Sequence, residues 1–429
     1  MILTIKNIGK VKEAEIDLSG ITVIAGENDT GKSTIGKILF SIFNSFYHIN
    51  EQIIIERTSS ILKILGSMSL QLKINLTNEI FLEAETLTRE LFNLPDNTDR
   101  HLITKLNIRN FLINIHKSVI TDLDEAKRNK YIDDIVKIIE IPSIEIMRIV
   151  LQKNMESEFY SQINNIYITK DIGIIGFKTN DINVEITICE NKISKLTNIF
   201  ILHTNAIYID DPFVIDDLDI ISGVNFRRPM HADHRLDLKS LLSEKKNAQV
   251  IQTAIEEILI NKKFETIYNK INSVCEGEII SQSNIRYGYG KGNNDKLLDI
   301  KNVSAGLKTF IIIKTLLKNG NLDNGGTLIL DEPEIHLHPE WQLLLAELIV
   351  LLQIEFELHI LLNTHSPYFL HAIEIYSAKH DIINRCRYYL AENSDNYSII
   401  NDVTNDIESI YTKLANPFQK LEDERYTDD

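Results

Sequence analysis

Cysteine is scarce. Cys189, Cys275 and Cys386 are the only three in 429 residues, and they lie too far apart for a disulfide framework. They are expected to be reduced, half-buried thiols in a cytoplasmic protein, and no metal-ligand spacing accompanies them. Long apolar runs are also missing: the longest, Leu343 to Leu352, is interrupted by Glu347 and falls short of the roughly 18 residues a membrane helix needs. The first residues carry no charged segment ahead of an apolar stretch, so no signal peptide is expected. No heptad pattern is sustained, which argues against a long coiled coil. Basic charge is short as well. Lys and Arg number 45 against 61 Asp and Glu, giving a net charge of −16, which argues against non-specific coating of DNA and leaves a local basic groove open. What remains, 44% hydrophobic and 25% charged residues, is a soluble globular composition with length enough for two or three compact units.

The strongest chemistry lies near the start. Gly26, Glu27, Asn28, Asp29, Thr30, Gly31, Lys32 and Ser33, followed by Thr34, fit the phosphate-loop pattern G-x-x-x-x-G-K-S/T. A β-branched apolar run, Ile21 to Ala25, precedes it, and Lys32 to Tyr47 places Ile35, Ile38, Leu39, Ile42, Phe43 and Phe46 at helical spacing. A strand, a glycine turn and a helix turn backbone N–H groups and a helix N-terminus towards an anion. Gly26 and Gly31 spare the turn a Cβ. Lys32 would then bridge the β- and γ-phosphates of ATP, and Ser33 would ligate Mg2+.

Three later runs supply partners. Thr327 to Glu332 is an apolar strand ending in two carboxylates; Asp331 would hold Mg2+ through water, and Glu332 would polarise the attacking water. Leu358 to His365 reads as another buried strand, with His365 at its C-terminal end, where open α/β sheets bind ligands and an imidazole N–H can reach a γ-phosphate. Ser304, Ala305, Gly306, Leu307 and Lys308 precede a helix over Leu307 to Leu317, 27 residues before Asp331; Ser304 as N-cap and Gly306 make an anion-binding end.

Around these runs the chain organises as follows. Ile2–Ile8, Glu13–Leu18 and Ile21–Ala25 read as strands, the second with Ala14, Ile16 and Leu18 facing inward. Residues 50–166 are helical and polar-rich, with turns at Leu94 to Asn97 and Ile141 to Ser143. They are either a helical insertion packed on the head or an arm for a partner or substrate. Residues 182–196 alternate as a hairpin around Glu190 and Asn191, and 233–275 look helical. The run around Gly288, Gly290 and Gly292 reads as a flexible hairpin tip or loop. Arg385 to Leu390 with Tyr397 to Ile400 suggests a hairpin, and Glu408 to Glu424 a last helix. Arg227, Arg228, His231, His234 and Arg235 are the candidate basic stretch for nucleic acid; the plainer reading is a solvated turn with ion pairs to Asp233 and Asp237. The division expected is residues 1–49 and 167–429 as the two parts of one ATPase head, and 50–166 as the insertion.

These motifs, and above all Asp331, Glu332, Pro333, Glu334, Ile335, His336, Leu337, His338, Pro339, Glu340 and Trp341 followed by Thr364 to Pro367, resemble the ABC-type ATPases of the Rad50/SMC/RecF/overcoming-lysogenization-defect branch. Within it the chain looks like the stand-alone anti-phage ATPases, similar to the Septu ATPase PtuA, the PARIS ATPase and retron-linked relatives. The resemblance covers roughly 1–49 and 200–390. It implies an α/β P-loop ABC-type head, a mixed sheet flanked by helices with an N-terminal antiparallel β subdomain, carrying a helical insertion. It further implies ATP and Mg2+ held between two heads in a homodimer or higher even oligomer. Gly26 to Thr34, Asp331, Glu332 and His365 would act from one chain, and Ser304, Gly306 and Lys308 from the other. Glu334 to Pro339 takes the family's D-loop position. The family's glutamine loop has no clear counterpart: Gln162, in a helical stretch, and Asp210, Asp211 and Pro212 are the candidates. No Toprim spacing follows His365, so a nuclease or toxin effector would be a separate protein. The expected function is a sensor or regulator of such an effector in a defence complex. The alternatives are a repair or chromosome-maintenance ATPase acting on DNA, a nucleotide-gated scaffold and, more distantly, a transporter subunit; nucleic-acid contact stays open and no membrane association is expected.

Overall fold

The computed structural model describes the chain except for residues 73–77, 95–99, 116–124, 168–171, 181, 221–231, 244–264, 282–286, 292–295 and 428–429. Arg227, Arg228 and His231 of the basic stretch, the centre of the turn after Leu94, Gly292, and the middle of the helical span 233–275 therefore lie outside the described residues. The chain forms two compact units. One comprises Met1–Ser45, Val150–Asn198 and Thr204–Asp429; the other comprises Phe46–Ile149 and Ile199–His203.

The first unit, the head, is built on an eleven-stranded sheet among the described residues. Its strands are β1 (Ile2–Ile8), β2 (Val11–Asp17), β3 (Ile21–Gly26), β4 (Gly173–Lys178), β5 (Asn183–Cys189), β6 (Lys192–Leu196), β7 (Ala206–Ile209), β11 (Thr327–Asp331), β12 (His359–Thr364), β13 (Cys386–Ser394) and β14 (Tyr397–Asp402). They run in the order β6-β5-β4-β1-β2-β14-β13-β3-β12-β11-β7. The β6 to β1 end, with β2, is antiparallel, and β13-β3-β12-β11-β7 is wholly parallel. The sequence dictates the difference. β2 alternates buried Ala14 and Ile16 with exposed Glu13 and Glu15, as a one-sided sheet requires. β3 and β7 are buried at every residue, as strands covered on both faces must be. A smaller sheet joins β8 (Glu278–Ser281), β9 (Tyr287–Gly290) and β10 (Leu298–Asp299).

The helices of the head are α1 (Lys32–Phe46), the second part of α6 (Ser143–Phe159), α7 (His234–Ser243), α8 (described over 265–272), α9 (Ala305–Lys318), α10 (Pro339–Phe356), α11 (Pro367–Lys379) and α12 (Glu408–Thr427). A core of Val23, Ile207, Phe310, Ile313, Leu330, Leu348 and Leu362, among others, fills the space between sheet and helices.

The second unit holds α2 (Ile49–Leu72), α3 (Asn78–Phe92), α4 (Arg100–Ile115), α5 (Glu125–Glu140) and the start of α6. Ile61, Leu65, Ala84, Leu91, Ile108, Leu112, Ile132 and Ile135 form its core. Arg57 is buried there and donates to the Ile141 carbonyl at 2.8 Å.

Three features differ from what the sequence suggested or left out. The division falls at 45/46 and 149/150 rather than at 50 and 166, because the last turns of α6 are tied into the head: Asn154 Nδ2 donates to Ser45 Oγ at 2.7 Å and Gln152 Oε1 accepts from Ile193 N at 2.6 Å. Gly288 and Gly290 lie in strand β9 rather than in a loop; Leu297 covers both, and a Cβ on Gly290 would stand 2.3 Å from it. Strand β4 was not foreseen, because Gly173 and Gly176 hide its alternation. Gly176 lies so close to β1 that a Cβ would approach Thr4 Oγ1 to 2.2 Å.

Candidate functional site

The four motif strands end at one edge. β7, β11, β12 and β3 run parallel, with Leu330 beside Ile209, Asp331 beside Asn363 and Thr364 beside Ala25. The residues that follow each strand therefore meet: Gly26 and its loop, Glu332, His365 and Asp210.

The phosphate loop is ordered by its own backbone. Thr30 Oγ1 donates to Glu27 O at 2.8 Å, and Thr34 N to Gly31 O at 3.1 Å. Gly31 has φ +78°, a left-handed conformation that favours glycine. The need for glycine at Gly26 has another source than a close-lying ligand: a Cβ there would stand 2.3 Å from the Ala391 carbonyl of neighbouring β13. Glu27, Asn28, Asp29 and Ser33 are exposed, and Thr34 is half-buried. Lys10 Nζ holds Asp29 at 2.6 Å. Lys32 is buried and folded onto the loop, donating to Gly26 O at 3.1 Å and Glu27 O at 2.7 Å, with Glu332 Oε1 at 4.0 Å. Burial lowers its pKa, against the pull of Glu332, Asp331, Glu334 and Glu27.

Asp331 ends β11 between two donors. Tyr208 Oη donates to Oδ2 at 2.8 Å and Asn363 Nδ2 to Oδ1 at 2.9 Å. Burial, and then the Asp331 charge, push the Tyr208 phenol well above its ordinary pKa, which keeps it a neutral donor. Glu332 has φ +51°, a strained conformation for a side chain of its size, worth about 1–3 kcal/mol. Its N–H donates to Asn363 O at 2.9 Å, and its carboxylate lies 3.4 Å from His365 Nδ1. Glu334 is buried, accepts from Thr364 Oγ1 and leaves Oε2 without a partner; burial raises its pKa. It fastens the exit of β11 to the exit of β12.

Ser304 is exposed and stands at the N-cap position of α9 without making a cap hydrogen bond, so its hydroxyl is not taken up by the helix. Gly306 is buried beneath the 336–341 segment, where a Cβ would lie 2.8 Å from His336 O. Lys308 does not join the surface set expected for it. It is 1% exposed, Nζ grips both oxygens of Asp216 at 2.6 and 2.7 Å, and it lies 4.6 Å over the Phe213 ring. One turn on from Ser304, it faces inward. Among the described residues no hydrogen bond or ion pair joins Ser304–Lys308 to Gly26–Ser33.

Other expectations fare unevenly. Gln162 is in irregular chain rather than a helix, and lines a recess with Gly9, Lys10, Asp29 and Asn164. Asp210 and Asp211 follow β7 and border a cleft of about 290 Å³ with Arg235, Thr309, Asp331 and Glu332. Arg235 pairs with Asp210 at 2.7 Å rather than with Asp233 or Asp237. The sequence reading missed a buried polar chain behind this cleft. His234 takes Glu158 on both its backbone N (2.6 Å) and Nδ1 (2.8 Å), with Nε2 3.0 Å from Asp210 Oδ2. Its ring stacks on Tyr208 at 4.3 Å and 24°. Burial disfavours the imidazolium, but Asp210 and Glu158 outweigh it and raise the pKa to about 9. Burial likewise opposes ionisation of Asp210, yet His234 and Arg235 bring it down to about 2. The only sequence signal was a tyrosine inside an otherwise aliphatic buried strand.

The donor set suits Mg2+ bound with a nucleotide. Asp331 is held by neutral donors, and among the described residues no Lys or Arg forms an ion pair with it. Among the described residues no group of three or more His, Cys, Asp or Glu side chains is arranged to hold a metal ion by itself. Mg2+ commonly takes one or two protein ligands and completes its shell with phosphates and water.

A phosphate loop at the carboxyl edge of a parallel sheet, with two acids and a histidine beside it, is the site of a P-loop nucleotide hydrolase. A family model described as AAA ATPase domain matches residues 1–370. The chain belongs to that family and is an ATPase. A comparison with curated proteins gives no match. Among solved structures, an SMC head bound to the C-winged helix domain of ScpA aligns at 9% identity over 95% of this chain and 98% of its own, with a TM-score of 0.40. The SMC head domain from Thermotoga maritima aligns at 10% identity over 94% and 98%, with a TM-score of 0.35. The Smc head with an extended coiled coil, bound to the C-terminal domain of ScpA derived from Pyrococcus furiosus, gives 10%, 99%, 98% and 0.38. Similarity at these scores is too weak to assign any residue. Among the described residues no helix is long and apolar enough to cross a membrane.

Proposed function

We propose that two copies of this ATPase close head to tail around ATP, and that the chain is the sensor and regulator of a bacterial anti-phage complex whose effector nuclease or toxin is a separate protein. The observation that carries the first part is a half-built site. Lys32 and His365 each lie within 4.0 Å of the Glu332 carboxylate, whereas the exposed Ser304 stands at the N-cap position of α9 with its hydroxyl making no cap hydrogen bond. On this reading Lys32 exchanges its two carbonyl partners for the β- and γ-phosphates. Ser33 and Asp331 would hold Mg2+, which would neutralise phosphate charge when bound. Glu332, already turned by its strained backbone, orients and polarises the attacking water, and His365 donates to the γ-phosphate. Ser304 and Gly306 meet the nucleotide from the second chain. Lys308, locked to Asp216, keeps α9 in place instead of touching ATP. The γ-phosphate then joins the protomers, and its loss releases them.

Glu332→Gln should slow hydrolysis about 10²- to 10⁴-fold, the usual range for a lost general base, while the ATP-bound dimer accumulates in light scattering. Wild-type turnover would remove Glu332 from the mechanism, and a variant that stays monomeric with ATP would remove the sandwich. The defence role rests on the likeness of the Asp331 to Trp341 run to stand-alone defence ATPases. Co-expression with the neighbouring reading frame under phage challenge tests it. Steeply salt-dependent duplex binding without any such partner would favour direct action on DNA instead.

A further inference from the structure

We propose that Tyr208 and Asn363 are positioning residues that fix the Asp331 carboxylate for its divalent cation, and that Glu158, His234 and Asp210 hold Tyr208 in place to do so. The inference rests on the reading of Asp331 as the Mg2+ residue. β11 lies between β12 and β7, and each neighbour sends one donor to one carboxylate oxygen: Asn363, directly opposite in register, to Oδ1, and Tyr208 to Oδ2. A carboxylate oxygen accepts along two directions. One donor on each fixes the rotation of the group and leaves a direction on each free for a metal-bound water.

Neither donor is explained by packing alone. Asn363 is fully buried, and its Oδ1 has no partner, so the amide is kept for what its NH2 group donates. Tyr208 is 1% exposed and its hydroxyl points at a carboxylate in the core. Its ring has little freedom. His234, itself pinned by Glu158 and Asp210, stacks on one face, and Phe40 stands at 6.4 Å. On α1, the helix that begins with Lys32 and Ser33, Gly36 approaches so closely that a Cβ would sit 3.1 Å from Tyr208 Oη. The phenol therefore lies between the phosphate-loop helix and the Asp331 carboxylate.

The test separates metal coupling from stability. In a Glu332→Gln background, which suppresses turnover, a fluorescent ATP analogue is titrated with and without Mg2+. Tyr208→Phe and Asn363→Leu should each cut the Mg2+-dependent gain in affinity about tenfold, the scale of one hydrogen bond to a charged group, and leave the metal-free affinity within about twofold. Asn363→Leu also removes an unpaired buried oxygen, so it should fold. If Tyr208→Phe does not fold, Glu158→Gln keeps one of the two acceptors that hold His234 and should give a smaller loss of the same gain. Folded variants with the full Mg2+ gain overturn the inference. Asp331→Asn distinguishes the levels. If it abolishes the gain while Tyr208→Phe and Asn363→Leu do not, only the positioning role falls. If Asp331→Asn itself keeps the gain, the reading of Asp331 as the Mg2+ residue falls.

Discussion

The head and the helical unit handle charge in opposite ways. In the helical unit charged side chains mostly meet at the surface: Arg89 reaches Glu51 and Glu85, and Lys105 reaches Asp133, all substantially exposed, around a core of Ile, Leu, Ala and Phe. In the head Lys32, Glu158, His234, Lys308 and Glu334 are buried. Burying a charge is costly unless it is paired or hydrogen-bonded, so a fold sustained by apolar packing alone has no use for such groups. Two of them, Lys32 and Glu334, lie at the carboxyl edge of β3, β11 and β12. Glu334 Oε2, Asn363 Oδ1 and His365 Nδ1 are all buried there without a hydrogen bond. The helical unit is held by packing, and the head also holds chemistry in reserve.

The sharpest way to break this contrast is Lys32→Ala. The lysine is held by two carbonyls that a polyphosphate would replace. Its loss should weaken ATP binding about 100-fold, the scale of more than one charge-assisted hydrogen bond, and leave helicity unchanged. Calorimetry with an unchanged affinity would overturn the phosphate-loop assignment.

An effect of similar size should appear in the pH dependence of stability. His234 titrates near 9 in the folded head against an ordinary 6.5, because Asp210 and Glu158 outweigh its burial. A group raised in this way stabilises fully below its unfolded pKa, and the contribution fades as pH climbs through about 9. The contribution is on the order of 3 kcal/mol. His234→Gln should thus lower Tm markedly at pH 6 and much less at pH 9.5. A gap that stays constant between those values would mean that the imidazolium contributes nothing, and that packing alone holds α7.

The motifs that the sequence made legible are those whose chemistry demands adjacent residues. Gly26 to Ser33 and Asp331–Glu332 each sit on one strand and its exit, so spacing and apolar runs suffice to find them. Ser304 was legible as a cap position for the same reason. The inward turn of Lys308 had no local signal, because Asp216, which receives it, lies 92 residues away. Tyr208 showed only as a tyrosine in an aliphatic strand, His234 read as part of a basic stretch, and Glu158 and Asn363 carried no signal of this role: the four meet only through strand order and the packing of α6 and α7 in the head. Strand β4 was hidden because its glycines serve close packing against β1 rather than a turn.

The least disruptive test comes from the helical unit. Arg89 is an exposed cation there with two partners, Glu51 Oε2 at 2.7 Å and Glu85 Oε1 at 2.8 Å, and these hydrogen bonds raise its pKa further above its ordinary value. That shift converts into little stability, since 42% of the side chain is exposed and water screens both partners. An i,i+4 pair on a helix surface is worth about 0.3–0.5 kcal/mol, and exposed pairs rarely exceed about 1 kcal/mol. Arg89→Ala should therefore lower stability by under about 1 kcal/mol, and by less at high salt, where the wild-type pairs are screened. Because Arg89 touches none of the groups at the strand ends, ATP turnover by the isolated protein should not change. Urea titrations at low and high salt, alongside the ATPase rate, decide it. A loss of several kcal/mol would mean that this surface pair holds α2 and α3 together in a way their apolar contacts do not, and the contrast between the two regions would have to be redrawn.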